Sequence, residues 1–220
     1  AREDDAYRRT LGRGLRMVML LIVPAAIGLW ILGEPLVRLL FERNRFTSED
    51  TYHVVRALDI YVLGMLFAAI DYPLNFAFYA RNNTLLPALV GVVSVGCYVA
   101  VALALVGWLG YLGLVWADTA KQATHALIMS LLLVRYVGRL QAHMGRGLTM
   151  IGLGALLMAV VMLVIDRIVQ PLLPTGALGD LLLLVTVGGV GVMVYTLLLL
   201  VLGMPEMRDV VGAVQARFAR

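Results

Sequence analysis

Six stretches of about twenty apolar residues succeed one another along this chain, over residues 14–33, 57–80, 86–106, 111–134, 148–169 and 180–203. Arg-bearing or Pro/Gly-bearing breaks separate them. A bilayer core of about 30 Å takes about 20 residues to cross at 1.5 Å per residue. Only helices and closed barrels satisfy every backbone group in lipid, and runs this long without alternation are helical. A mean hydropathy of +0.90 and a hydrophobic content of 61% lie well above those of soluble domains. The expected fold is all-α: a polytopic membrane bundle of six transmembrane helices.

Six spans put both ends on one side of the membrane, and the basic residues divide unequally between the sides. Of the 18 Lys and Arg, twelve fall with the termini, five (Arg38, Arg43, Arg45, Arg56 and Arg167) fall opposite, and Lys121 lies inside a span. Basic residues gather on the cytoplasmic side, so both ends are expected there. The net charge of +4 follows from that bias and suits anionic lipid headgroups rather than nucleic acid.

The opening residues AREDDAYRRT are polar and mixed in charge, without the apolar core of a signal peptide. They read as a cytoplasmic linker feeding a helix from near Leu15, and the chain as the C-terminal part of a longer protein. The single cysteine, Cys97, reads as packing within the third span. No His, Cys or carboxylate set has metal-ligand spacing, and no Gly-rich loop has the setting of a phosphate site. The sequence therefore offers no catalytic, metal or cofactor residues.

Between the spans, several local patterns carry structure. Pro24 should bend the first helix. Residues 35–42, with Leu36, Leu39 and Leu40 among Arg38 and Glu42, predict a short amphipathic helix on the outer interface. Thr47 followed by Asp50 resembles a capping box that starts the second spanning helix near Ser48. Asn82-Asn83 ends that helix, and Pro87 lies at the opening of the next. A basic loop, VRYVGRLQAHMGRG, follows the fourth span. Gly188, Gly189 and Gly191 predict close helix contact or a smooth lipid-facing groove. EMRDVVGAVQARFAR reads as a short basic amphipathic helix.

Ionisable groups inside a span face a cavity or each other, because lipid exposure costs several kcal/mol. Asp118, Lys121 and His125 recur at three and four residues, on one face of the fourth span. Asp71 lies in the second span, ahead of Pro73 and Asn75. Counting inward from Arg56 and Tyr111 puts Asp71 and His125 at nearly equal depth, with Lys121 about 6 Å further out. These four are the candidate site, and they are expected to converge. One reading has Lys121 or His125 attract an anionic lipid headgroup, or Asp71 join in ion coupling. The other has Asp71 and Asp118 neutralise Lys121 and hold two helices in register.

Several segments together resemble the MurJ/MviN family of lipid II flippases, within the multidrug/oligosaccharidyl-lipid/polysaccharide exporter superfamily. They are GLRMVMLLIVPAAIGLWIL, PLVRLLFERNRFTSEDT, RALDIYVLGMLFAAIDYPLNFAFYARNNTLLP and GYLGLVWADTAKQATHALIMSLLLVR. The resemblance implies a fourteen-helix protein of two six-helix lobes and two further helices, of which this chain supplies the last six. Residues 1–138 would be the last four helices of the second, MATE-like lobe. Residues 139–220 would be a basic loop, two accessory spans and a cytoplasmic tail. It also implies transport by alternating access, and no enzymatic step. The substrate would be an undecaprenyl-diphosphate-linked peptidoglycan precursor, and the partners membrane lipids and the N-terminal half of the same protein. The family's pyrophosphate-binding arginines lie on helices that would precede Ala1, so none is carried over. Tyr72 and Asn83 depart from the pattern, standing where the family often has a basic residue and Asp. A polysaccharide-repeat or drug exporter of the same superfamily, and a non-transporting membrane scaffold, are the alternatives.

Overall fold

A computed structural model describes the backbone of residues 2–136, 138 and 143–218, and the side chains of 6–136, 138 and 144–212. These residues form α1 (Arg2–Phe41), α2 (Ser48–Tyr79), α3 (Leu85–Leu109), α4 (Tyr111–Tyr136), α5 (His143–Val169), a 3-10 turn (Gln170–Leu172), α6 (Ala177–Val201) and α7 (Pro205–Phe218). No strand occurs among the described residues. Parts of the basic loop, residues 137 and 139–142, lie outside them.

The chain divides into two compact units. The first joins Ala1–Ile22 to Arg56–Met144, and the second joins Val23–Val55 to Gly145–Arg220. Both α1 and α2 therefore contribute to each unit, and the division in α1 falls immediately ahead of Pro24.

In the first unit, Leu11, Leu15, Leu74, Ala77, Phe78, Val90, Met129 and Leu133 form one buried cluster. Here one sequence expectation fails. Helix α1 is already formed at Arg2, where a linker up to Leu15 was expected. The reason is tertiary: Tyr7, Leu11 and Leu15 share one helix face at four-residue spacing. Leu11 and Leu15 enter the core, and the Tyr7 hydroxyl donates to the Ala77 carbonyl at 2.5 Å. Arg81 then lies over the Tyr7 ring, 4.9 Å from its centroid. Asn82 turns the chain out of α2 at φ +57°, and the Asn83 side chain accepts the Leu86 N–H at 3.2 Å to open α3. Helices α3 and α4 meet at a corner where Gly110 takes φ +57°. A Cβ on Gly113 would lie 2.7 Å from the Leu105 carbonyl carbon, so the two backbones touch there.

In the second unit, Ile151, Met158, Met162, Val187 and Leu199 are buried. A Cβ on Gly191 would meet Met162 at 2.6 Å, and one on Gly188 would meet Leu32 at 3.4 Å. Two of the three glycines in the 188–191 run thus admit close side-chain packing, while Gly189 faces open space. The Thr47–Asp50 capping box is present: the Thr47 N–H donates to Asp50 Oδ2 at 2.8 Å, and the Asp50 N–H donates to Thr47 Oγ1 at 3.4 Å. Helix α6 ends in a Schellman turn, with Met204 N–H to Leu199 O and Gly203 N–H to Leu200 O. Pro205 then opens α7 at a position that needs no N–H.

One further expectation is corrected. Residues 35–42 do not form a separate interfacial helix, because α1 runs unbroken through Pro24 and Pro35 to Phe41. Membrane helices tolerate an internal proline where neighbouring groups take up the freed carbonyl. Leu36 and Leu39 are half-buried there, and Leu40 is exposed. Among the described residues the six expected long helices are present, and five of them are both long and apolar enough to cross a membrane. The exception is α4, whose 26 residues suffice in length but include Asp118, Thr119, Lys121, Gln122, Thr124 and His125.

The corner between α3 and α4 should tolerate less than the α6 face. We expect Gly113→Ala to lower stability by about 1–3 kcal/mol, since backbone atoms cannot yield. Gly191→Ala should cost less, because the flexible Met162 side chain can rotate away. Thermal unfolding of the two variants in the same detergent checks this, and equal effects would contradict it.

Candidate functional site

The polar face of α4 is built on a helix that offers its neighbours hydroxyls and charges instead of methyl groups. Thr119 donates to the Ile60 carbonyl of α2 at 3.2 Å, and a Cβ on Gly64 would lie 3.1 Å from its Oγ1. Glycine at position 64 therefore permits the approach. Thr124 donates to the Cys97 sulfur of α3 at 3.2 Å, which gives the lone cysteine a polar contact beyond packing.

Asp71 and His125 come together across α2 and α4, with His125 Nδ1 2.6 Å from Asp71 Oδ1. Both side chains are 14% exposed. A carboxylate at Nδ1 favours a ring N–H on that side, and Nε2 is the ring nitrogen that points away from it. That Nε2 lies 4.0 Å from where a Cβ on Gly91 would stand, so the absent side chain on α3 leaves room for it. The other Asp71 oxygen accepts from Asn75 Nδ2 at 2.8 Å, and the same amide reaches the Asp71 carbonyl at 3.1 Å. Both carboxylate oxygens are thus held. Asn75 sits one turn along from Asp71, a position whose part in the site is seen only once the side chains are placed.

Lys121 does not join this contact. Its Nζ donates to Asp118 Oδ1 at 2.6 Å within α4, and the two side chains are 31% and 28% exposed. The four candidate residues therefore form two pairs: a cross-helix pair that is more buried, and a local pair that is more open. Lys121 is neutralised by Asp118 rather than by Asp71. No group of three His, Cys, Asp or Glu that could hold a metal gathers among the described residues.

Sequence reasoning missed a second polar cluster, in the second unit. Arg38 donates to Glu34 at 3.0 Å and to Asp180 at 2.8 Å, tying the end of α1 to the first turn of α6. The spacing of Arg38 from Glu34 was a visible signal, but nothing local points to Asp180, 142 positions away.

An all-helical bundle with long apolar helices and a polar inner face is the architecture of a polytopic membrane protein. A sequence model of the family described as "Lipid II flippase MurJ" matches residues 1–187, and the chain belongs to that family. A probable lipid II flippase MurJ of Bdellovibrio bacteriovorus is 30% identical over 132 residues, covering 60% of this chain and 25% of that protein. Its counterpart in Rhizobium meliloti is 32% identical over 139 residues, covering 63% and 25%. The chain thus aligns with about a quarter of the length of these relatives. A solved structure of lipid II flippase MurJ in an inward closed conformation superposes with a TM-score of 0.76 at 20% identity, covering 93% of this chain and 40% of that one. The fold is shared.

The two pairs should differ in stability. His125→Ala removes one partner of a largely buried contact, and we expect a loss of about 1–3 kcal/mol. Asp71→Leu combined with His125→Leu should recover part of that loss. Lys121→Met, at an open pair, should cost less than about 1 kcal/mol. A double-mutant cycle by thermal unfolding reads these values, and independence of positions 71 and 125 would contradict the pairing.

Proposed function

We propose that this chain is the C-terminal part of a flippase that carries an undecaprenyl-linked peptidoglycan precursor, lipid II, across the bacterial cytoplasmic membrane by alternating access. The observation that carries this reading is the family match over residues 1–187. Residues 1–138 supply the last four helices of the C-terminal lobe, and residues 139–220 supply the basic loop, two accessory spans and a tail. Both ends lie on the cytoplasmic side. The lobe that precedes this region in such proteins is its partner, and the lipid passes through chemically unchanged.

Within that reading, Asp71 and His125 hold α2 and α4 in register while keeping a polar group inside the bundle. Asp118 and Lys121, about a third exposed, are the pair that can meet an anionic headgroup, because a lysine already near its counter-ion can exchange it at low cost. The slender apolar walls of α5 and α6 suit a prenyl chain better than a sugar.

The test is complementation of lipid II flippase loss by the full-length protein. Lys121→Met together with Asp71→Leu should abolish growth rescue while the protein still inserts in the membrane at its usual level. Rescue by that double variant would contradict both the headgroup role of Lys121 and the register role of Asp71.

A further inference from the structure

At the end of the second unit where α1 finishes and α6 begins lies a cavity of about 520 Å³. That is within the range of small-molecule sites. Its wall carries four charged residues, Arg38, Arg43, Glu42 and Asp180, whose formal charges cancel. Arg38 is committed to Glu34 and Asp180. Glu42 is steadied from the start of α2, accepting from Ser48 Oγ at 3.0 Å and from Thr51 Oγ1 at 2.7 Å. Arg43 donates to the Leu40 carbonyl at 2.7 Å and meets no carboxylate within salt-bridge distance among the described residues.

The wall therefore presents one guanidinium with donors to spare and two carboxylates with lone pairs to spare. An anion alone would face Glu42 and Asp180, and a cation alone would face both arginines. A group carrying both signs satisfies the wall at once. The described lining contains no aromatic ring, which argues against a sugar stacked on a ring and against a quaternary ammonium, whose recognition uses aromatic cages. A primary ammonium, by contrast, donates directly to carboxylates. The cavity sits at the ends of three long apolar helices, α1, α5 and α6, which is the depth of the headgroup layer. Its remaining wall includes Leu39 and Leu183, apolar surface on which a glycerol backbone can rest.

We propose that this cavity binds the headgroup of a zwitterionic, primary-amine phospholipid, the phosphoethanolamine class. Its phosphate meets Arg43, and its ammonium meets Glu42 and Asp180. The inference does not depend on which substrate the protein transports.

The test is native mass spectrometry of the full-length protein released from nanodiscs of equal phosphatidylethanolamine, phosphatidylcholine and phosphatidylglycerol content. We expect selective retention of phosphatidylethanolamine, reduced at least about fivefold in Arg43→Gln, where the charge-assisted contact to phosphate is lost. Thr175→Trp, which fills the cavity from a loop position, should reduce it likewise, and keeps the test valid should Arg43→Gln not fold. Helicity by circular dichroism identifies folded variants. Preferential retention of phosphatidylglycerol would overturn the proposal in favour of an anion site. Equal retention of the three lipids, or selectivity that survives in both folded variants, would overturn it outright.

Discussion

The contact between Asp71 and His125 is the interaction on which the first unit depends. A helix with six polar or charged residues in its first fifteen cannot sit among apolar neighbours unless those groups are answered inside the bundle. Helix α4 meets this condition by finding a specific acceptor on each neighbour: Asp71 and the Ile60 carbonyl on α2, and the Cys97 sulfur on α3. Close approach is possible because Gly64 and Gly91 present no side chain at those contacts. Pairing at 14% exposure leaves both oxygens of Asp71 bonded, so the cost of taking it from water is largely offset. The more open Asp118–Lys121 pair carries no such structural weight and is available for other partners.

The second unit solves a different problem. Its helices α5 and α6 are nearly all apolar, and their packing rests on methionine against glycine, as at Met162 and Gly191. Its charges gather where the helices end, in the Arg38–Asp180 bridge and in the hydroxyl contacts of Glu42. Polar groups at helix ends can remain in the headgroup layer, where holding a charge costs far less than at the centre of a span.

Much of this was legible from residue order. Hydropathy located α3, α5 and α6, and Thr47 with Asp50 marked the start of α2. Asp71 and His125 were matched in depth by counting from the helix ends. What escaped detection shared a cause: it depended on contacts distant in the chain. Helix α1 looked like a linker, a span and an interfacial helix, because Pro24, Pro35 and the early charges read as breaks. The burial of Leu11 and Leu15 against α2, α3 and α4 holds its beginning helical. The preference of Lys121 for Asp118 over Asp71 is a choice among side-chain rotamers on one helix face, which spacing does not decide. The cavity by Arg43 was hidden for the same reason, since its walls come from residues more than a hundred positions apart.

The central claim is that α4 turns its polar face away from lipid and Leu127 and Leu131 toward it. Cysteine labelling of the full-length protein in intact membranes tests this most directly, with Cys97 replaced by Ser. Lys121→Cys should react with a membrane-impermeant, water-soluble maleimide. Leu127→Cys and Leu131→Cys, at positions 61% and 62% exposed on α4, should react only with a lipid-soluble reagent. The reverse pattern would contradict the account, as would equal reaction of all three with the water-soluble reagent.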